Sequence, residues 1–140
     1  MLGDVYLMLP GNLFTAGLAA FLVAHVAYIA DFDAAVGPRL LWFVIVGGAS
    51  YFLVARRILG SIEDQKMRPA VGLYMAVICF MVGSAIASAS IPAAVGALLF
   101  LASDTLLAWD RFVQPFPHSH VMVMVTYHLG QLLLVGALRS

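Results

Sequence analysis

An all-α bundle of transmembrane helices is the fold class this sequence predicts, with about five full spans behind an N-terminal partial helix. Three observations predict it. Of the 140 residues, 64% are hydrophobic and only 10% charged, and the mean hydropathy of +1.03 lies far outside the balance of a soluble domain. The apolar residues gather into runs close to the roughly 17–25 residues that a helix needs to cross hydrocarbon. No run alternates with a period of two, as strands of a membrane barrel do, so each run must close its backbone hydrogen bonds as a helix.

Taken in order, residues 2–9 are apolar but too short to cross at about 1.5 Å per residue, and Pro10-Gly11-Asn12 ends them. This stub lacks a basic leader region and carries Asp4, so it reads as half a helix rather than a signal peptide. Full spans are expected over about residues 13–30, 40–55 with Trp42 near one end, 70–88, 92–109 and 120–138. Ser88-Ala89-Ser90 is a tight polar turn, and Pro92 suits the first helical position, where a missing N–H has no bond to lose. Spans three and four therefore form an antiparallel hairpin. Residues 110–118, with Pro115 and Pro117, connect the last two spans. Residues 1–140 are expected to form a single transmembrane domain.

Seven basic and seven acidic residues cancel, which leaves no polybasic footprint for nucleic acid or for anionic lipid as the main partner. Their placement sets an orientation. Arg56, Arg57, Lys66 and Arg68 follow span two and Arg111 follows span four, against Arg39 and Arg139 on the opposite side. That excess puts the two loops in the cytoplasm and the C-terminus outside. Cys79, the only cysteine, excludes an internal disulfide and a cysteine metal cluster, and its apolar neighbours make it core filler. No GxSxG elbow, phosphate loop or GxxxG pair occurs, which disfavours a serine hydrolase built on Ser103.

Asp104 is the residue that demands a reason. An ionised Asp at the centre of a spanning helix costs about 2.5–3.5 kcal/mol on insertion, so it faces a protein interior or a wet cavity. It shares a helical stripe with Ala93, Ala97, Phe100, Leu101 and Ala108, whose small members let helices approach, so it is expected to look into the bundle. Asp4 is a second acid among apolar residues at a similar inferred depth, and Arg68 falls at that depth too, so the three could share a cavity. Two carboxylates in one low-dielectric pocket do not both ionise cheaply, and such a pair divides into a proton donor and a base. The plainer alternative has Asp4 capping a terminus and Asp104 pairing with Arg68. Arg68-Pro69, with Tyr74 a turn and a half beyond, is either a boundary anchor or a bidentate site for phosphate. His25 and Tyr28 on span one, and Tyr127, His128 and Gln131 on span five, form two polar groups whose plainest use is interhelical hydrogen bonding. No His-x-x-x-His or Glu-x-x-His pair is present, so no metal site is expected.

Leu2-Gly3-Asp4 through Pro10-Gly11-Asn12-Leu13-Phe14, Ala24-His25-x-x-Tyr28, Arg68-Pro69 with Tyr74, Gly96-Ala97-Leu98-Leu99-Phe100-x-x-Ser103-Asp104, and Thr126-Tyr127-His128-x-x-Gln131 follow one another along essentially the whole chain. Together they resemble the YhhN family of multi-span membrane proteins, to which the lysoplasmalogenases belong. Members of that family are typically longer, with spans ahead of the Gly-Asp motif, so the resemblance implies that this chain starts inside that helix. The activity it implies is cofactor-free hydrolysis of the vinyl-ether bond of lysoplasmalogens, which gives a fatty aldehyde and glycerophosphoethanolamine or glycerophosphocholine.

Such a reaction begins with rate-limiting protonation at carbon, which needs a positioned acid, and water then attacks an oxocarbenium ion that a second carboxylate stabilises. On that reading Asp4 and Asp104 are the catalytic pair. Arg68 and Tyr74 bind the substrate, with Arg68 on the phosphate. Tyr127, His128 and Gln131 orient water or the glycerol hydroxyl, and His25, Tyr28 and Ser103 support them. The lysophospholipid enters from the bilayer of the cell membrane. Two rival readings stand beside this one. The first is a proton-coupled small-solute transporter in which the two acids titrate. The second is a non-catalytic remnant that packs with another membrane protein.

Overall fold

A computed structural model describes residues 12–32 and 35–139. The described residues form five helices and no strand: α1 (Asn12–Asp31), α2 (Val36–Ser61), α3 (Met67–Ala87), α4 (Ile91–Phe112) and α5 (Ser119–Arg139). The last four are long and apolar enough to cross a membrane, while α1 is apolar over the shorter stretch Ala16–Asp31. The partial helix expected over residues 2–9, and Asp4 within it, lie outside the described residues.

A helix stands at each of the five expected positions, four of them of membrane-crossing length among the described residues rather than five, and α2 departs most from its expected bounds. Its ladder runs through one π turn, Tyr51–Ala55, without breaking. An i→i+5 turn takes up one extra residue; from its last residue, Ala55, onward, Ala55, Ile58 and Ile62 return to the interior while Tyr51, Phe52 and Leu53 stay outside. Pro92 stands second rather than first in α4, because Ser90 is the cap and Ile91 leads the helix. The Ser90 hydroxyl accepts the Ala93 N–H at 3.4 Å, satisfying one of the donors that a helix start leaves open. The hairpin between α3 and α4 closes through Ala89, which takes a left-handed φ of 56°.

Glycines set how closely the helices cross. In lipid no hydrophobic force draws helices together, so close approach of backbones supplies the packing. A Cβ on Gly96 would lie 2.9 Å from the Leu133 Cβ and 3.0 Å from the Gly130 carbonyl oxygen, and one on Gly130 would lie 2.9 Å from the Gly96 carbonyl oxygen. These two glycines therefore form the α4–α5 crossing. A Cβ on Gly83 would lie 2.8 Å from the Phe43 backbone nitrogen, which makes Gly83 the α2–α3 crossing. Both α1 and α4 lean on α3, and the interior between them is filled by Phe100, Ile58, Ile78, Met81 and Leu134. Val44, Leu53 and Leu132 lie on the outer surface, the placement expected of a helix face that meets lipid.

Arginines tie the helix ends. Arg39 donates from Nη1 to the Ile29 carbonyl at 2.9 Å and from Nη2 to the Phe32 carbonyl, so a residue of α2 satisfies the carbonyls at the exit of α1. At the other face of the bundle the Arg57 guanidinium sits 5.5 Å from the centre of the Trp109 ring. That contact joins the ends of α2 and α4 on one side, as the distribution of basic residues requires.

Candidate active site

Asp104 lies on α4 two turns before its end, half-buried, on the stripe whose other members Ala93, Ala97 and Phe100 are buried. Its Oδ2 accepts a hydrogen bond from the Tyr74 hydroxyl at 3.0 Å. The inward stripe of α3, Val71, Tyr74 and Ile78, brings that hydroxyl across. The two polar groups stand on the wall of a cleft whose other sides are Leu18 of α1, Met75 and Ile78 of α3, and Leu101, Leu107 and Ala108 of α4. Thr105 also faces it. The cleft holds about 30 Å³ of free space and is partly open to the surroundings, enough for a water molecule or two and narrower than an ordinary ligand site. An apolar cleft with one carboxylate and one phenol suits an aliphatic molecule that carries a single reactive polar group.

A second polar set lies between α1 and α5. The Tyr28 hydroxyl donates to the Gln131 side-chain carbonyl at 2.8 Å, and the Gln131 amide donates to the Tyr127 hydroxyl at 3.4 Å. An aromatic cluster joins this set to the cleft. The Phe100 ring lies 5.3 Å from Tyr127 and 4.7 Å from His25, and His25 lies edge-on to Tyr74 at 5.7 Å. His25 is buried, with Nδ1 hydrogen-bonded to the Phe21 carbonyl. A carbonyl only accepts, so Nδ1 carries the proton and Nε2 of the neutral ring is left as an acceptor. Among the described residues Nε2 has no hydrogen-bond partner.

The other expected site residues divide. Ser103 is buried and donates to the Val123 carbonyl at 3.1 Å, a bond between α4 and α5. His128 is exposed on the outer side of α5, where its Nδ1 bonds the Met124 carbonyl at 2.7 Å and its ring lies edge-on to buried Tyr127 at 5.3 Å, outside the cleft wall. Arg68 is exposed in the first turn of α3 and donates to the Ile62 carbonyl at 2.8 Å. Among the described residues no ion pair joins Arg68 to Asp104, and Arg68 is absent from the wall of the cleft. Sequence spacing groups Tyr74 with Arg68, six residues away, yet its hydroxyl meets Asp104. Thr105 and Phe21 are not among the site residues the sequence offers. Thr105 has a signal, adjacency to Asp104, while Phe21 is indistinguishable in sequence from any apolar residue of a span; Phe100, placed on the Asp104 stripe by its spacing, proves to be the ring that joins His25 to Tyr127. Among the described residues no cluster of three His, Cys, Asp or Glu side chains exists that could hold a metal ion.

Membrane-length helices around a cleft that holds a half-buried carboxylate define a multi-pass membrane protein with a candidate acid–base site. The chain belongs to the YhhN family, whose family model matches residues 1–138. It is 38% identical over 140 residues to human lysoplasmalogenase TMEM86B, covering 99% of this chain and 59% of that protein. It is 35% identical to the pig lysoplasmalogenase TMEM86B, over 94% of this chain and 56% of the relative, and 32% identical to bovine lysoplasmalogenase TMEM86A, over 95% and 59%. The chain thus spans a little over half the length of these relatives. No solved structure matches it significantly.

Proposed function

We propose that this protein is a membrane hydrolase that cleaves the vinyl-ether bond of lysoplasmalogens. The observation that carries the proposal is the Asp104 carboxylate, held by the Tyr74 hydroxyl on the wall of an otherwise apolar cleft. Similarity to proteins named lysoplasmalogenase supports the choice of bond and substrate.

The chemistry asks for little more than such a site. A carboxylic acid delivers its proton to the carbon of the double bond remote from the ether oxygen, and the π electrons form the new C–H bond. The oxocarbenium ion that results is attacked by water, whose proton passes to a carboxylate. The hemiacetal then breaks its C–O bond, and the glycerol oxygen leaves as a hydroxyl while the chain leaves as an aldehyde. Acid and base assistance of this kind contributes about 10²–10⁴-fold each, and a carboxylate beside an oxocarbenium ion is the arrangement glycosidases use. Asp104 and Asp4 are the pair we assign to these roles, with Tyr74 orienting Asp104. Arg68 and Arg57, at the end of the bundle toward which the cleft runs through Ala108 and Phe112, are the candidates for the substrate phosphate. The substrate reaches the cleft from the cell membrane in which the protein resides, with the loops after α2 and α4 in the cytoplasm.

The test is direct. Purified protein in lipid nanodiscs is mixed with lysoplasmenylethanolamine and assayed for long-chain aldehyde, with and without exhaustive chelation. Aldehyde release that survives chelation is expected, and none above a heat-killed control would end the proposal.

A further inference from the structure

A second hollow lies on the neighbouring face of α3, between that helix and α2. It is lined chiefly by Gly47, Tyr51 and Ala55 of α2 and by Gly72, Met75 and Cys79 of α3, and it holds about 210 Å³ of free space, partly open to the surroundings. Its origin can be followed along the helix pair. At Gly83 the two backbones touch, since a Cβ there would lie 2.8 Å from Phe43. Toward the other end they part. A Cβ on Gly72 would find its nearest neighbour, Leu59, at 3.8 Å, and one on Gly47 would find Cys79 and Phe43 at 3.9 Å. Glycine therefore closes the first crossing but leaves a groove at the other two positions. The π turn of α2 borders that groove through Tyr51 and Ala55.

The groove and the cleft of Asp104 share one residue, Met75, which lines both. Methionine is unbranched and has three rotatable bonds, so it adapts its shape at low cost and makes a yielding partition. The groove is apolar apart from the hydroxyls of Ser50 and Tyr51 and the Cys79 thiol. A lysolipid with its reacting bond at Asp104 must send its headgroup one way and its hydrocarbon chain another. Arginines mark the headgroup direction, and the route past Met75 is an apolar path of the opposite character. We propose that the α2–α3 groove is the subsite for the aliphatic chain of a single-chain lipid, entered from the Asp104 cleft past Met75. The inference rests on the lipid-hydrolase reading for the identity of the head end.

Cys79 supplies a reporter, because it lines the groove and is the only cysteine in the chain. The full chain in lipid nanodiscs is treated with N-ethylmaleimide in the presence of an octyl-ether or a hexadecyl-ether lysophospholipid, neither of which has a vinyl-ether bond to hydrolyse. The hexadecyl compound is expected to slow labelling of Cys79 several-fold and the octyl compound to slow it little. Gly72→Ala, whose methyl the groove admits without a clash, is expected to reduce that advantage of the longer chain. Met75→Ala is expected to change it as well, with folding of both variants checked by thermal unfolding. Equal labelling with either compound, or an advantage that neither folded variant changes, overturns the subsite and means that the chain stays in the bilayer. Protection of Cys79 without aldehyde release from a vinyl-ether lysolipid upholds the subsite and removes the hydrolase reading. Aldehyde release with no protection by either compound does the reverse.

Discussion

At the scale of the residue, the chemistry proposed turns on Asp104 and the hydroxyl that holds it. Asp104→Asn keeps the volume and an oxygen that can accept the Tyr74 hydrogen bond, but removes the transferable proton and the charge. Aldehyde release is expected to fall by a factor on the order of 10²–10⁴. Detergent-solubilised thermal stability should hold or rise slightly, since an amide is cheaper to bury than a charge and Arg68, which donates to Ile62, is not left stranded by the change. An active, stable Asn variant would remove Asp104 from the mechanism. Tyr74→Phe tests orientation rather than proton transfer. A hydrogen bond to a charged group contributes about 1.5–3 kcal/mol, so turnover should fall at least roughly tenfold, with KM changed much less. Steady-state kinetics with both parameters resolved separate this outcome from simple loss of folded protein. His128 and Arg68, by contrast, sit on the exposed surface, and their side chains bond nearby backbone carbonyls.

The elements hold the site through two backbone crossings. Gly96 and Gly130 bring α4 against α5 so closely that Ser103 reaches the Val123 carbonyl and Phe100 reaches the Tyr127 ring. Gly96→Ala places a methyl 2.9 Å from the Leu133 Cβ and 3.0 Å from two backbone atoms that cannot swing aside. The helices must part, and overpacking of this kind costs about 1–3 kcal/mol. Gly136→Ala is the matched control, because nothing lies within 4 Å of its added Cβ and Ala is the better helix former. Thermal unfolding in detergent should therefore separate the pair, with Gly96→Ala lowered and Gly136→Ala equal or raised. Equal shifts would mean that the α4–α5 crossing does not depend on a bare backbone. The same logic distinguishes Gly83, which closes a crossing, from Gly72, which leaves a groove open.

For the molecule as a whole, five of the seven basic residues lie at one end of the bundle, and the Arg57–Trp109 contact shows that two of the helix ends there adjoin. The excess of Lys and Arg in short loops faces the cytoplasm. Single cysteines at Glu63 and Gln114, both exposed, should be labelled by a membrane-impermeant maleimide only from the cytoplasmic side. A cysteine at Ile91, also exposed, should be labelled only from the opposite side. Buried Cys79 contributes little background to a large, charged reagent. Labelling of the positions at 63 and 114 from opposite faces would contradict the arrangement of α3 and α4 as a hairpin of full spans.

The number, place and approximate ends of the spans were legible in the sequence because each depends on a local quantity, the length of an apolar run and the turn residues beside it. The inward aspect of Asp104 was legible for a related reason: a stripe of small residues at helical spacing is local too, and an acid has few other places to face in lipid. The polar character of Tyr28, Tyr127 and Gln131 likewise marks them for hydrogen bonds between helices, though not for which partner each takes. What only the tertiary structure decided is how each helix is rotated and which neighbour it meets. One residue along a helix turns a side chain by about 100°, enough to put Tyr127 inside and His128 outside. A helix in lipid lacks the apolar and polar faces by which a soluble helix declares its rotation, since lipid tails are as apolar as the interior. For that reason Tyr74 was read with Arg68, its neighbour in sequence, when its hydroxyl reaches Asp104 thirty residues away. The meeting of Gly96 with Gly130 and the partition at Met75 have the same origin, for they are properties of pairs of helices and no single run of sequence contains them.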